Sequence, residues 1–182
     1  MKKIKTIYWI IVLSVITGIF IQIMPASDLN QGKVIMDNKN FETAVFAGGC
    51  FWCVEAAFEG HKGVIDVVSG YTGGHVSDPG YEQVTSGTTG HFEAVKINFN
   101  PDIITYKELL KIFFQQIDPT DFSGSFVDRG SQYSSAIFYQ NDTQKKEALK
   151  TIDKINQSKL FNTPVATQVL KFKTFYDAEV YH

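Results

Sequence analysis

The chain has 182 residues, 44% of them hydrophobic and 20% charged, with a formal net charge of −2. This composition supports a packed core and excludes wholesale disorder. With a pI of about 6.1, it also excludes a general attraction to nucleic acid. In chain order, Lys2, Lys3 and Lys5 precede an uncharged, mostly apolar run from Ile7 to Ile23. A positive stretch ahead of a hydrophobic one reads as a signal anchor or signal peptide over residues 1–26. Met24 stands where a cleavage site wants a small residue, so an uncleaved anchor is favoured over cleavage. The lysines would stay on the cytoplasmic side. The rest is then expected outside the cytoplasm, held at the membrane or, as the alternative, exported after cleavage. Residues 27–40 are polar and read as a linker, and 41–182 as one domain.

The domain alternates strand and helix patterns. Phe41 to Ala47 reads as a buried strand, and Gly48-Gly49 as a tight reversal. Cys50 to Glu59 reads as a helix, and Gly63 to Val68 as a β-rich strand. Ser69 to Gly80 reads as an ordered loop, and Tyr81 to Val84 as one helical turn. His91 to Phe99 reads as a strand ended by Asn100-Pro101. Thr105 and Glu108 form a capping box ahead of a helix with Leu109, Leu110, Phe113, Phe114 and Ile117 at helical spacing. Asp121 to Gly130 reads as a polar loop anchored by Phe122 and Phe126. Gln132 to Tyr139 reads as a strand. Asn141 caps a helix reaching about Gln157, with Gln144 at its capping-box position. Pro164 to Lys171 reads as the last strand. The alternation predicts a two-layer α/β or α+β sheet structure.

The two cysteines, Cys50 and Cys53, are the only ones in the chain. Cys50 falls at a helix N-terminus, where free N–H groups and the macrodipole favour its thiolate. An apolar surrounding from Phe51 and Trp52 would oppose that. Cys53 lies on the same helix face, within reach of a disulfide. A purely structural disulfide would close too short a loop to restrain the unfolded chain much, so a redox role is favoured. Zinc would need two further ligands, and His61, His75, His91 and His182 have no paired spacing with the cysteines. Glu93 shares its strand face with Val95, Ile97 and Phe99, which turns a carboxylate toward the apolar side. Burial there would raise its pKa and supply an acid near neutrality; a strand-end Glu reaching solvent is the alternative.

Gly49-Cys50-Phe51-Trp52 after a strand resembles the signature of the peptide methionine sulfoxide reductase A family. Four further blocks follow in that family's order. They are Tyr71-Thr72-Gly73-Gly74-His75, then Tyr81 to Val84 with Gly87 to Val95. Next come Asp118-Pro119-Thr120 with Asp128 to Tyr133, and finally Phe175 to His182. The resemblance implies an α+β two-layer sandwich with a mixed sheet, a ferredoxin-like core and long loops. It implies Cys50 as the nucleophile that attacks a sulfoxide sulfur, and Glu93 as the acid that protonates the oxygen. It gives Tyr81 and Tyr133 hydrogen bonds to that oxygen, Asp128 an orienting role, and Phe51 and Trp52 the methyl pocket. Oxidised proteins, peptides and free methionine sulfoxide are the implied substrates, acted on as the S epimer by a monomer. No cofactor or metal is implied; a thioredoxin-like external dithiol is the implied reductant.

Three positions depart from the family pattern. Cys53 replaces the usual Gly, and is the internal candidate to resolve a Cys50 sulfenic acid. Thr85 stands where cysteine is common, and Ser134 where Arg is common. Two other readings remain open on sequence. A thioredoxin-like oxidoreductase would use Cys50 and Cys53 alone. A tethered binding domain would hold them as a structural disulfide. Neither gives Glu93 or the tyrosines a task.

Overall fold

A computed structural model describes residues 40–182. The anchor expected over 1–26, and all but the last residue of the linker, lie outside the described residues. Among the described residues no helix is long and apolar enough to cross a membrane.

Among the described residues there are eight strands: β1 (Glu42–Ala47), β2 (Val64–Thr72), β3 (Phe92–Phe99), β4 (Gly124–Ser125), β5 (Asp128–Arg129), β6 (Ala136–Tyr139), β7 (Gln168–Lys171) and β8 (Phe175–Asp177). Among the described residues the helices are α1 (Phe51–Phe58), α2 (Tyr81–Thr85), α3 (Tyr106–Gln116) and α4 (Asp142–Ser158), with a 3₁₀ turn at Ser131–Tyr133. Six strands form one sheet in the order β7-β6-β1-β3-β2-β8, and β4 pairs with β5 separately. Only β6 and β7 run parallel; the other pairs are antiparallel, so the sheet is mixed. The fold is the expected α+β type.

The two faces of the sheet carry unequal cores. Phe46, Val95, Ile97 and Phe99 meet Phe51, Val54 and Phe58 of α1 and Leu109, Leu110 and Phe113 of α3. Val45, Ala47, Ala94, Ala136 and Phe138 form a smaller cluster on the other face. Strand alternation sends neighbours in sequence to opposite faces, as Ala94 and Val95 show. The rings of Phe46 and Phe113 stack at 4.9 Å and tie β1 to α3. Thr105 caps α3 in the predicted reciprocal box, its hydroxyl accepting from the Glu108 N–H while the Glu108 carboxylate accepts from the Thr105 N–H.

Several boundaries differ from the sequence reading. Ser69 to Thr72 belong to β2 rather than to a loop, because both edges of that stretch are paired, with β3 on one side and β8 on the other. Gly70 permits the second pairing: a side chain there would run into the Tyr176 carbonyl and the Phe175 ring. The strand expected from Gln132 begins at Ala136, since Ser131–Tyr133 turn as 3₁₀. β7 is not the last strand; β8 follows it and closes the far edge. The 121–130 loop contains the β4–β5 hairpin, and Phe122 and Phe126 are exposed instead of anchoring it. Asn141 caps α4 through the Gln144 N–H, but the Gln144 side chain accepts from the Gln140 N–H, one residue before the cap.

Candidate active site

The turn between β1 and α1 aims Cys50 out of the core. Gly49 has φ +101°, a conformation L side chains rarely adopt, and a Cβ there would stand 2.6 Å from the Ser125 Cβ. This glycine lets the β4–β5 hairpin press against the turn. Cys50 is the N-cap residue of α1, with its carbonyl accepting from the N–H groups of Cys53 and Val54. Cap and third helical residue face each other, as in a capping box. Cys50 and Cys53 therefore share one side of the first turn, both as free thiols, Cys50 half-buried and Cys53 exposed.

Glu93 reaches the same turn from the central strand β3. It is 2% exposed. Its carboxylate accepts a 3.1 Å hydrogen bond from the Phe51 N–H, the first free donor of α1. Burial pushes its carboxyl up to about 7, with the charge of Asp128 adding to the rise, while the Phe51 N–H and the Tyr133 hydroxyl oppose it. A proton is thus available at neutrality beside the thiol. Burial also raises the Cys50 thiol above its ordinary value. The N–H groups of Cys53 and Trp52 pull the other way without closing a full hydrogen bond to the sulfur, and Glu93 and Cys53 add to the rise. The helix end does not win: in the empty site the thiol is less acidic than usual, contrary to the stabilised thiolate that the helix position suggests.

Tyr81 is the first residue of α2, and Tyr133 the last of the 3₁₀ turn. Burial, then Glu93, raise both phenols, Tyr133 to about 12. Both remain donors near neutral pH. Asp128 lies in β5, and its charge is felt at Glu93, Tyr81 and Tyr133 alike. Cys50, Glu93, Tyr81, Tyr133 and Asp128 thus converge on one place from five separate segments. Phe51 is buried, its ring 6.4 Å from Tyr81 and 5.9 Å from Tyr71. Trp52 is 52% exposed.

The chain is similar to known proteins along most of its described length. The family model described as peptide methionine sulfoxide reductase matches residues 42–182. The chain belongs to that family. The peptide methionine sulfoxide reductase MsrA of Bacillus subtilis (strain 168) is 54% identical over 141 residues, covering 78% of this chain and 80% of that protein. The crystal structure of Mxr1 from Saccharomyces cerevisiae in reduced form superposes with a TM-score of 0.74 at 31% identity, covering 80% of this chain and 84% of that one. The structure of Mxr1 in complex with Trx2 superposes with a TM-score of 0.57 at 25% identity, over 79% and 84% of the two chains. Like its relatives, this reductase is an oxidoreductase that reduces methionine sulfoxide in a thiol-dependent reaction and repairs oxidised protein.

Two side chains that received no role from the sequence border Tyr81 and Phe51. Glu179 follows β8; one carboxylate oxygen accepts from the Tyr81 N–H at 2.8 Å and the other from the Tyr71 hydroxyl at 2.9 Å. Burial works to raise the Glu179 carboxyl, but these donors and His182 leave it below its ordinary value. The His182 ring packs 4.6 Å from Tyr81, 5.0 Å from Phe51 and 5.4 Å from Trp52, and its carbonyl accepts from the Trp52 indole N–H at 3.2 Å. The signal for both lay in the last sequence block, whose acid and imidazole have no obvious partner until β8 is placed. Of the departures from the family pattern, Ser134 donates its hydroxyl to the Phe122 carbonyl at 2.7 Å. Thr85 bonds back to the Tyr81 carbonyl at 3.0 Å inside its own helix.

Proposed function

We propose that this reductase acts on methionine S-sulfoxide with Cys50 as nucleophile and Glu93 as acid. The observation that carries the reading is Glu93: a buried carboxyl with a pKa near 7, bonded to the first N–H of the helix that begins at Cys50. The Cys50 sulfur attacks the sulfoxide sulfur while Glu93 protonates the oxygen. Tyr81 and Tyr133 donate to that oxygen as charge builds on it, and Asp128 helps orient them. The substrate methyl lies against Phe51 and Trp52. The S–O bond breaks as the S–S bond forms, and the oxygen departs as water. A water then attacks the Cys50 sulfur, the S–S bond breaks, methionine leaves with two electrons gained, and Cys50, having lost two, becomes a sulfenic acid. The Cys53 thiolate then attacks the Cys50 sulfur, water departs, and a disulfide forms. An external dithiol of thioredoxin type returns the electrons; the complex of Mxr1 with Trx2 supports that reading. Free and peptide-bound sulfoxides both serve as substrate.

The test is turnover of separated R and S epimers of a methionine sulfoxide peptide with dithiothreitol. Turnover of the S epimer alone, abolished in Cys50→Ser, is expected. Without reductant, Cys53→Ser should release one methionine per enzyme and form no intramolecular disulfide. A Cys50→Ser enzyme that still turns over, or a disulfide that survives in Cys53→Ser, would refute the corresponding assignment. The charge pattern of residues 1–26 further supports an extracytoplasmic, membrane-held enzyme. Protease added to intact cells should reach the domain; full protection would overturn that location.

A further inference from the structure

The β4–β5 hairpin breaks two ordinary rules beside the nucleophile. Ser125 pairs with Asp128, so Phe126 and Val127 are the entire turn. Two-residue hairpin turns favour Asn, Asp and Gly, because their first central position has positive φ. Here that position is Phe126, at φ +52°, where a bulky residue is an outlier. The same two residues are also presented to solvent, Phe126 68% and Val127 88% exposed. The fold gains nothing for its own stability from an aromatic and a β-branched side chain placed there.

The tip is held firmly. Arg129 grips Asp121 with both terminal nitrogens, at 2.6 and 3.1 Å, and donates to the Phe126 carbonyl at 3.2 Å. Its base belongs to the site: Ser125 presses on Gly49, next to Cys50, and the charge of Asp128 is felt at Glu93. An extended peptide advances about 3.3–3.6 Å per residue. The tip lies one and two residues beyond Ser125, which meets the Cys50 turn, so one flank of an extended peptide held at Cys50 is within a few residues' reach of it.

The geometry points to Phe126 and Val127 as a subsite for an apolar side chain flanking the oxidised methionine in an extended peptide. The proposal rests on the reading of Cys50 as nucleophile, and it narrows the substrate class to peptide sulfoxides flanked by apolar side chains. Polar surroundings and free methionine sulfoxide leave the tip empty. The occupant is taken as the substrate rather than the reductant because the hairpin carries Asp128, whose charge is felt at Glu93, Tyr81 and Tyr133, the groups that meet the sulfoxide oxygen.

The experiment compares kcat/KM, with dithiothreitol as reductant, for three S-sulfoxides. They are N-acetylmethionine sulfoxide, a pentapeptide with leucine on each side of the sulfoxide, and one with serine on each side. The wild-type chain is set against the double variant Phe126→Asn, Val127→Gly. Asn-Gly is the dipeptide this turn prefers, so the hairpin is retained and the melting temperature should hold or rise. The leucine peptide is expected to exceed the serine peptide by about tenfold in the wild type, carried in KM, and to lose that advantage in the variant. An equal preference in both proteins, or none in the wild type, overturns the proposal. A variant slowed only when a thioredoxin-like protein replaces dithiothreitol also overturns it, and assigns the tip to the reductant. Silence of the wild type on all three compounds, N-acetylmethionine sulfoxide included, overturns the reading of the active site itself.

Discussion

At the start of α3 the Glu108 carboxylate accepts from the Thr105 N–H at 2.8 Å; at the start of α1 the Glu93 carboxylate accepts from the Phe51 N–H at 3.1 Å. Both acids sit at the positive end of a helix and hold a donor that the helix cannot satisfy itself. Their acidities part company. The Thr105 backbone and hydroxyl, followed by nearby lysines, hold Glu108 below the ordinary carboxylate range, with solvent all round. Burial drives Glu93 up to about 7 despite its own N–H partner. A hydrogen bond and a helix end are therefore not enough to set protonation; removal from water decides it. The sequence also differs in where the acid comes from. Glu108 belongs to the helix it caps, whereas Glu93 arrives from β3, and the cap position of α1 is left to a thiol.

The largest change expected from disturbing this contrast follows Glu93→Gln. Turnover should fall by about 10²–10⁴-fold, because the departing oxygen loses its proton donor. In the wild type the working form carries one proton between the pair, a thiolate at Cys50 and an acid at Glu93. Since Cys50 has the higher pKa, kcat/KM should rise as pH passes about 7, and fall again only as Cys50 ionises. Glu93→Gln should lack the limb near 7, which a pH–rate profile measures. Stability should move oppositely. The folded pKa of Glu93 exceeds its ordinary value of 4.5. Its contribution is therefore fully present below that value and lost as pH rises through about 7. Denaturant titration should find Glu93→Gln more stable than wild type at pH 8, by about 2–3 kcal/mol, and equal at pH 4.

A smaller loss, about tenfold to a hundredfold in kcat, is expected from Tyr133→Phe, and a similar one from Tyr81→Phe, each by removal of one donor to the oxygen. Unchanged kcat in both would leave Glu93 as the sole polar partner of the substrate. The smallest effect belongs to the inert helix end. Thr105→Ala should cost about 1 kcal/mol in thermal or denaturant unfolding and leave kcat/KM where it was. A loss of activity there would mean that the two helix starts are coupled through the Phe46–Phe113 stack.

The contrast also separates what the sequence carries openly from what it hides. The cap of α3 is local: Thr105, Glu108 and the apolar spacing behind them suffice, and the helix forms as they require. Parity along β3 likewise turns Glu93 inward together with Val95 and Ile97, as expected. What sequence could not supply was the balance at Cys50, where burial and helix end act in opposite directions on one sulfur. Nor could it supply pairings made at a distance. Ser69 to Thr72 read as loop because Gly70, Gly73 and Gly74 weaken the pattern, yet β8 needs the bare backbone of Gly70. Phe122 and Phe126 read as anchors because aromatic residues usually bury. The loop is pinned by Arg129 and Asp121 instead, which leaves its rings free.

The attachment of β8 has a consequence in time. Glu179 steadies the start of the helix that carries Tyr81, and His182 packs beside Phe51 and Trp52. A ribosome delivers Cys50 long before either. Throughout synthesis the chain carries its thiol without the finished chamber around it, and contacts so far apart along the chain form late. The full set of side chains around Cys50 is in place only once β8 has sealed the edge of the sheet.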